Sequence, residues 1–216
     1  SWEEKVFNLN LLKEVKLSTL HHPDLESLND SDLAQRKKRD KNLSKFPLSE
    51  PALIKSLQGF WNPTSLVYLG NSLPIREWDY VSSTGFSKVV ASRGANGIDG
   101  QISTYMGQAF NQKESLGVFG DLTSLYDMSG PWFLKYMKGI NYIAVVNNAG
   151  GMIFDRMFNK EIYLNKHELS FEPLARFWGL DHFHFTPSEN PFQKGPKLIE
   201  IKPNHEQTKS FWEAMK

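Results

Sequence analysis

The chain has 216 residues, and its 25 basic side chains nearly balance its 24 acidic ones, which leaves a formal net charge of +1 at pH 7. A charge this small gives no support to binding of nucleic acid or of an anionic membrane surface. The absence of cysteine excludes disulfides, zinc–thiolate sites, iron–sulfur clusters and a cysteine nucleophile, and it suits a cytoplasmic location. No apolar run approaches the roughly 20 residues that a membrane-spanning helix needs.

The beginning of the chain is polar. It reads Ser1-Trp2-Glu3-Glu4-Lys5, where a signal peptide would place an apolar segment. Because the first residue is not methionine, we expect a cut or processed start and a chain that is a piece of a longer protein.

Residues 1–48 are charged, poor in glycine and irregular in pattern. Their most basic stretch, 32–41, has an aspartate near each end, and such runs are typical of a solvated helix or linker rather than of a nucleic-acid site. A regular pattern begins at Ser49, a helix-capping residue, with Pro51 in the first turn. The sequence thus predicts a boundary near residue 48.

Short apolar strands alternate with helices in the remainder of the chain. We predict strands at 65–69, 88–91, 116–119, 142–146, 183–185 and 198–201. We predict helices at 52–57, 102–110, 171–177 and 207–215, and one between the third and fourth strands that begins near Leu122 and runs through Trp132 and Tyr136. This alternation indicates βαβ units, and hence an α/β fold with a parallel sheet that has helices on both faces.

The loops at the carboxyl ends of the strands are where such a sheet binds its ligand. Asp121 follows one strand and Asn148 the next, with one helix between them, so we expect these side chains to be neighbours. A carboxylate, an amide oxygen and backbone carbonyls are the hard oxygen ligands that Mg²⁺ prefers. Glycines let the backbone approach a phosphate, and the helix near Leu122 presents its positive end to the same place. The loops therefore predict a magnesium–diphosphate site.

A structural interpretation competes with this one. Asp121 could cap the helix that follows it, and the asparagines could form a turn. Either segment taken alone is typical of such a structural role, whereas the two segments together favour the magnesium–diphosphate site.

The Gly-Asp pair, followed at this distance by Asn-Asn at the end of an apolar strand, resembles the motif of thiamine-diphosphate enzymes. Leu122 replaces the glycine that most of them have, as it does in the branch formed by the SEPHCHC synthases. Four segments resemble that branch in the same order: 70–76, 93–100, 120–127 and 145–154. The second, Arg-Gly-Ala-Asn-Gly-Ile-Asp-Gly, is the most specific of them. The resemblance covers roughly residues 50–216.

The resemblance implies a thiamine-diphosphate-binding fold and assigns roles to residues. Asp121, Asn148 and the Gly150 carbonyl would hold Mg²⁺ or Mn²⁺, and Ile98 would lie under the bent cofactor. The full set expected to contact thiamine diphosphate is Arg93, Gly97, Ile98, Gly120, Asp121, Leu122, Thr123, Asn148, Ile153 and Phe154. The residues expected to face the substrates in catalytic roles are Ser72, Arg76 and Arg93.

The family joins 2-oxoglutarate, after decarboxylation, to isochorismate in menaquinone biosynthesis, and both substrates carry two carboxylates. An arginine guanidinium binds a carboxylate through two parallel hydrogen bonds, which lysine cannot do. For Arg93, inside the most specific segment, we favour this function. Arg76 could instead pair with a structural acid such as Glu77 or Asp79, and this alternative stays open.

This chain departs from its relatives in two respects. Ala149 stands where they often have a third asparagine, although its backbone can still serve the turn. Nothing in the chain resembles the amino-terminal pyrimidine-binding domain, whose glutamate contacts the cofactor, usually from a second subunit. Residues 1–48 would then be the end of the middle domain with its linker, and residues 49–216 the diphosphate-binding domain.

We therefore expect a transferase domain that is inactive by itself and that forms a homo-oligomer. Its expected partners are the two substrates and its own pyrimidine-binding domain, with no nucleic acid and no membrane. One alternative is a solitary, non-catalytic module that acts through association. The other is a different thiamine-diphosphate lyase or decarboxylase, against which Leu122 and the segment beginning at Arg93 both argue.

Overall fold

The structure is a computed structural model that describes residues 23–83, 85–92, 94, 96–155, 160–193 and 195–216. Contacts between residues divide the chain into two units, Ser1–Lys41 and Asn42–Lys216. The described part of the first unit lies in helix α1, Pro23–Lys45. The basic stretch at 32–41 is helical and mostly exposed, as expected for a solvated helix, and Arg36 binds Asp32 at 2.7 Å one turn earlier.

The second unit is built on a parallel β-sheet. Its described strands are β1 (Leu66–Leu69), β2 (Val89–Val90), β3 (Glu114–Gly120), β4 (Ile140–Val146), β5 (Asp181–His184) and β6 (Lys197–Ile201). They stand in the order β2-β1-β3-β4-β6-β5, and every neighbouring pair is parallel. The predicted parallel sheet is confirmed, and each predicted strand is present with its ends shifted by at most two residues.

Helices lie on both faces of this sheet. They are α2 (Glu50–Phe60), α3 (Leu73–Val81), α4 (Gln101–Ala109), α5 (Asp121–Tyr126), α6 (Glu172–Phe177) and α7 (His205–Met215). One apolar cluster joins α2 and α3 to the sheet, and a second joins α4 and α6 to the opposite face. Tyr142, Ala144 and Val146 of β4 belong to the first cluster, whereas Ile143 and Val145 belong to the second. Because successive strand residues point to opposite faces, a strand buried on both sides reads as one continuous apolar run.

Three short 3₁₀ helices complete the described elements: Gly130–Tyr136, Met152–Phe154 and Glu161–Tyr163. The single helix predicted from near Leu122 through Tyr136 is instead divided into α5 and the first of these 3₁₀ helices. Trp132 and Tyr136 remain 63% and 55% exposed, whereas Gly130 and Pro131 of this segment are buried and Leu134 packs against the second apolar cluster. Within the described ranges, no helix is both long enough and apolar enough to cross a membrane.

Tyr105 fastens α4 to the sheet and so fixes the helix that follows the loop at 97–100. Its side chain is fully buried. The hydroxyl oxygen lies 3.1 Å from the carbonyl oxygen of Ser115 and 3.0 Å from that of Tyr142. Burial raises the pKa of Tyr105, so the hydroxyl keeps its proton and remains a donor.

We predict that Tyr105→Phe lowers the free energy of unfolding by about 1–2 kcal/mol, because buried carbonyl groups lose their donor. Urea denaturation followed by circular dichroism measures the change. Tyr126→Phe is the matched control, since Tyr126 is 64% exposed and its loss of a hydroxyl should leave stability unchanged. An equal loss of stability in the two variants would contradict the assignment.

Candidate functional site

A cavity of about 430 Å³ lies at the carboxyl ends of the central strands. The pairing of β3 with β4 sets Gly120 beside Val146, so the residues that follow these two strands meet at its wall. The structure brings the predicted site residues together there: Ser72, Arg76, Gly97, Ile98, Gly120, Asp121, Leu122, Thr123, Asn148, Gly150, Ile153 and Phe154. Arg93, the remaining predicted residue, lies outside the described residues.

Asp121 is the first residue of α5 and is almost fully buried. Its Oδ1 accepts a hydrogen bond from the backbone N–H of Leu122 at 2.6 Å, and its Oδ2 accepts one from Gly150 at 2.9 Å. The second bond ties the end of β3 to the loop that follows β4. The N-cap position of α5 is occupied by Gly120, and Asp121, the first helical residue, accepts an N–H of the first turn and also bonds the loop after β4.

The pKa of Asp121 reflects its burial. Burial raises this pKa above the usual aspartate range, and the hydrogen bonds from Leu122 and Gly150 lower it by less. His167 also lowers it, with Nε2 at 3.2 Å from Asp121 Oδ2. The contact lacks hydrogen-bond geometry and is ionic when the imidazole is protonated. Because Nδ1 of His167 accepts the N–H of Leu169 at 3.2 Å, the proton of the neutral ring stays on Nε2, beside Asp121.

Asn148 has its two amide atoms in different surroundings. Its Nδ2 donates to Oε2 of Glu50, in the first turn of α2, at 3.0 Å. Its Oδ1 is buried and has no hydrogen-bond partner among the described residues. A buried polar atom without a partner costs about 1–3 kcal/mol. Its presence in the wall of a cavity therefore points to a ligand that supplies the missing contact.

The loop after β4 has a backbone that few residues tolerate. Ala149 has φ 66° and Gly150 has φ 142°, both left-handed values. A Cβ atom on Gly150 would lie 2.4 Å from the carbonyl oxygen of Leu164, so only glycine fits there. Ala149 adopts a conformation that asparagine accepts more readily, and the turn keeps its shape. Asn147 Oδ1 accepts the N–H of Ala149 at 3.4 Å, as expected for an asparagine turn.

A buried glutamate anchors the same loop from β6. Glu200 Oε1 accepts a hydrogen bond from Asn147 Nδ2 at 2.8 Å, and Oε2 lies 2.8 Å from Nε2 of His182. Burial raises the pKa of Glu200, but hydrogen bonds from Asn147, His182 and Lys202 outweigh it, so the pKa lies below the ordinary value. Glu200 is therefore an ionised carboxylate that holds the first of the two asparagines.

Ser72 and Arg76 lie on the other side of the cavity, at the start of α3. Ser72 has φ 77°, a strained value for a residue that is not glycine. Its carbonyl oxygen accepts a hydrogen bond from the Arg76 guanidinium. Arg76 forms no ion pair with Glu77, Asp79 or any other acid in the described ranges, so the structural alternative for this arginine finds no partner.

The donor atoms fit a hard divalent cation. Asp121 supplies a carboxylate and Asn148 supplies an Oδ1 that lacks a hydrogen-bond partner among the described residues. The Gly150 carbonyl accepts one hydrogen bond, from Met152 at 2.9 Å, and keeps a second lone pair. Mg²⁺ takes few protein oxygens and fills its remaining positions with water and phosphate. Among all the described residues, those of this cavity included, no group of three His, Asp or Glu side chains is placed to hold a metal ion, so a cation here would depend on one carboxylate together with amide and backbone oxygens.

Two residues of this site are absent from the sequence-based prediction. Glu50 is recognisable only as part of a helix start, because an acid in the first turn is common in helices. His167 lies in a segment between strands and carries no spacing that links it to Asp121. The contacts of Glu50 with Asn148 and of His167 with Asp121 do not follow from the strand pattern. That pattern predicts only that the loops after neighbouring strands lie close together.

Comparison with curated sequences identifies clear relatives, although no family model matches the chain. It is 43% identical over 212 residues to the 2-succinyl-5-enolpyruvyl-6-hydroxy-3-cyclohexene-1-carboxylate (SEPHCHC) synthase of Bdellovibrio bacteriovorus, which covers 95% of this chain and 40% of that protein. It is 31% identical over 211 residues to the synthase of Akkermansia muciniphila, with 87% and 40% covered. The chain thus spans about two fifths of the length of these relatives.

Comparison with solved structures bears on the fold. A protein from Mycobacterium smegmatis, assigned as a thiamin diphosphate-dependent enzyme, superimposes with a TM-score of 0.56 at 14% identity, over 74% of this chain and 32% of that one. Benzoylformate decarboxylase from Polynucleobacter necessarius gives a TM-score of 0.56 at 13% identity, over 72% and 33%. The predicted thiamine-diphosphate-binding fold is confirmed, and by sequence the chain belongs to the SEPHCHC synthase family.

Proposed function

We propose that this chain is the diphosphate- and magnesium-binding domain of a thiamine-diphosphate-dependent transferase. The reaction would decarboxylate 2-oxoglutarate and join the product to isochorismate, in menaquinone biosynthesis. The observation that carries the proposal is the position of Asp121 and Asn148 in one cavity wall, with the buried Oδ1 of Asn148 left without a hydrogen-bond partner in the described structure. The names of the relatives, which are SEPHCHC synthases, support the choice of reaction.

The chain's own residues would bind the diphosphate end of the cofactor and contact its rings from one side. Asp121, Asn148 Oδ1 and the Gly150 carbonyl would hold Mg²⁺ or Mn²⁺ against the diphosphate. The backbone around the metal would contact the diphosphate itself, and the apolar side chains of the cavity would contact the rings; these residues are Gly97, Ile98, Gly120, Leu122, Thr123, Ile153 and Phe154. When bound, thiamine diphosphate supplies the stabilisation of a carbanion equivalent that amino-acid side chains cannot provide.

Ser72, Arg76 and Arg93 would bind and orient the substrates. Both substrates are dicarboxylates, and a guanidinium matches the two oxygens of a carboxylate. Among the described residues, Arg76 donates a hydrogen bond only to the Ser72 carbonyl and forms no ion pair with an acid. Other N–H groups of its guanidinium are therefore available to a ligand. Its position in the wall of the cavity would direct those donors toward the substrate.

The rest of the catalytic apparatus would come from elsewhere in the protein. We propose that a pyrimidine-binding domain, from a second subunit of a homo-oligomer, supplies the glutamate that contacts the cofactor. Residues 49–216 would then form the diphosphate-binding domain and residues 1–48 the end of the preceding domain with its linker. The absence of cysteine is compatible with the cytoplasmic location that we propose.

We predict that the full chain binds thiamine diphosphate in the presence of Mg²⁺ and that Asp121→Ala abolishes this binding, because the only carboxylate proposed as a metal ligand is lost. Isothermal titration calorimetry measures both affinities. Asp181→Ala, an exposed aspartate on β5, is the matched control and should bind as the wild type does. Wild-type protein that releases no heat would favour the non-catalytic association module.

We predict that the affinity for Mg²⁺, measured at saturating thiamine diphosphate, falls as the pH is lowered. The fall should begin at a higher pH than it would if the metal ligand were an aspartate with an ordinary pKa. Only the ionised carboxylate binds the metal, and burial raises the pKa of Asp121 above 3.8. Protonated His167 lowers this pKa, so His167→Gln should raise it further and move the decline to higher pH. Calorimetry at a series of pH values tests this in both proteins. Because protonation of the diphosphate affects both alike, coincident curves would contradict the assignment.

We predict that Arg76→Lys raises KM for 2-oxoglutarate or isochorismate by about tenfold, which corresponds to the loss of roughly one charge-assisted hydrogen bond. Steady-state kinetics of the full enzyme give the value. Arg176→Lys serves as control, since Arg176 is exposed on α6 and pairs with Glu172 at 3.4 Å. Unchanged KM values for both substrates would remove Arg76 from the substrate site.

A further inference from the structure

Glu50 is a buried acid in the wall of the cavity that the proposed reaction does not use. It is 2% exposed and lies in the first turn of α2. Its Oε2 accepts the hydrogen bond from Nδ2 of Asn148 at 3.0 Å, across 98 positions of the sequence. A buried carboxylate that reaches from a distant helix to a proposed metal ligand requires an explanation beyond helix capping.

The backbone of Glu50 is held in place by two helices. Ser49 caps α2 by accepting the N–H of Ala52 at 3.4 Å. The N–H of Glu50 itself donates to Oγ1 of Thr208 on α7 at 3.0 Å. Leu48, two residues before Glu50, donates its N–H to the Gln207 side chain on the same helix at 2.9 Å. The carboxylate therefore extends toward Asn148 from a fixed origin.

The chemistry of the pair determines which way the asparagine amide faces. The NH₂ group of Asn148 can only donate hydrogen bonds, and Oε2 of Glu50 accepts one of them. The carbonyl oxygen Oδ1 must then face away from Glu50. A metal ion requires this oxygen, because the amide nitrogen carries two hydrogens and offers no lone pair to Mg²⁺.

We infer that Glu50 is a positioning residue that fixes the amide orientation of Asn148, so that Oδ1 and not NH₂ faces the divalent cation. The inference rests on the proposed function, because it assumes the metal site at Asp121 and Asn148. It adds to that site a residue that lies outside the four segments 70–76, 93–100, 120–127 and 145–154. Partners of metal ligands of this kind change metal affinity by about 10- to 100-fold when they are removed.

The test is a graded series at position 50, with Mg²⁺ affinity of the full chain measured by calorimetry at saturating thiamine diphosphate. Glu50→Leu removes the acceptor and should weaken Mg²⁺ binding by about 10- to 100-fold. Glu50→Gln should bind better than Glu50→Leu, because its carbonyl oxygen can still accept from Asn148. Glu189→Leu, at an exposed position, is the control and should bind as the wild type does.

A double-mutant cycle separates positioning from direct ligation and from support of the fold. If Glu50 acts through Asn148, Glu50→Leu should add no more than about twofold to the loss caused by Asn148→Ala. Full additivity of the two losses would show that Glu50 acts independently of Asn148, as a direct metal ligand would, and would overturn the inference. Wild-type affinity in Glu50→Leu, with a lowered melting temperature of the metal-free protein, would show a purely structural role and would overturn it too.

The same data distinguish this inference from the function on which it rests. Wild-type protein that binds Mg²⁺ and thiamine diphosphate, together with a Glu50 series that shows no graded loss, overturns the role of Glu50 alone. Wild-type protein that binds neither overturns the proposed function and the role of Glu50 with it.

Discussion

The parallel pairing of β3 with β4 is the constraint on which the site depends. The ladder runs from Glu114 beside Ile140 to Gly120 beside Val146, so both strands end at the same level. Asp121 and the 147–151 loop are therefore adjacent without any special contact between distant parts of the chain. The hydrogen bond from the Gly150 N–H to Asp121 then locks the two ends together. A shift of one residue in this register would turn every side chain of one strand to the opposite face and would separate the two.

The wall of the cavity is built on several polar side chains that are buried away from water. Asp121, Glu50 and Glu200 are each at most 2% exposed. Burial of a carboxylate is unfavourable unless hydrogen bonds compensate. Each has them: Asp121 from two backbone N–H groups, Glu50 from Asn148, and Glu200 from Asn147 and His182. The two asparagines after β4 thus each rest on a buried glutamate, one from α2 and one from β6, which gives the loop a single arrangement.

The sheet and its loops were predictable from the sequence because their signals are local. A strand buried on both faces, such as β4, reads as an apolar run, and one intervening helix is enough to infer that Asp121 and Asn148 are neighbours. Helix α3 was not predicted, because it begins directly after Gly70-Asn71-Ser72 and has Pro74 in its first turn, a combination that is typical of a loop. Glu50 and His167 were also missed. Their contacts with the site join segments that the strand order does not make adjacent, and each becomes visible only when the helices are packed.

The resemblance to the SEPHCHC synthases and the geometry of the site contribute different kinds of evidence. The specific segment beginning at Arg93 identifies the branch, although Arg93 lies outside the described residues. The structure adds physical reasons for the positions that it does describe. Gly150 is glycine because a Cβ atom would collide with the Leu164 carbonyl. Ala149 still adopts the left-handed turn, so the loop has the shape that the proposed metal site requires.

The most direct test of the account is a crystal structure of the full chain with thiamine diphosphate and Mn²⁺, with anomalous diffraction used to locate the metal. The account predicts one anomalous peak coordinated by a carboxylate oxygen of Asp121, Oδ1 of Asn148 and the carbonyl oxygen of Gly150, with diphosphate oxygens completing the shell. A manganese ion bound elsewhere, or one that Asn148 does not ligate, would contradict it.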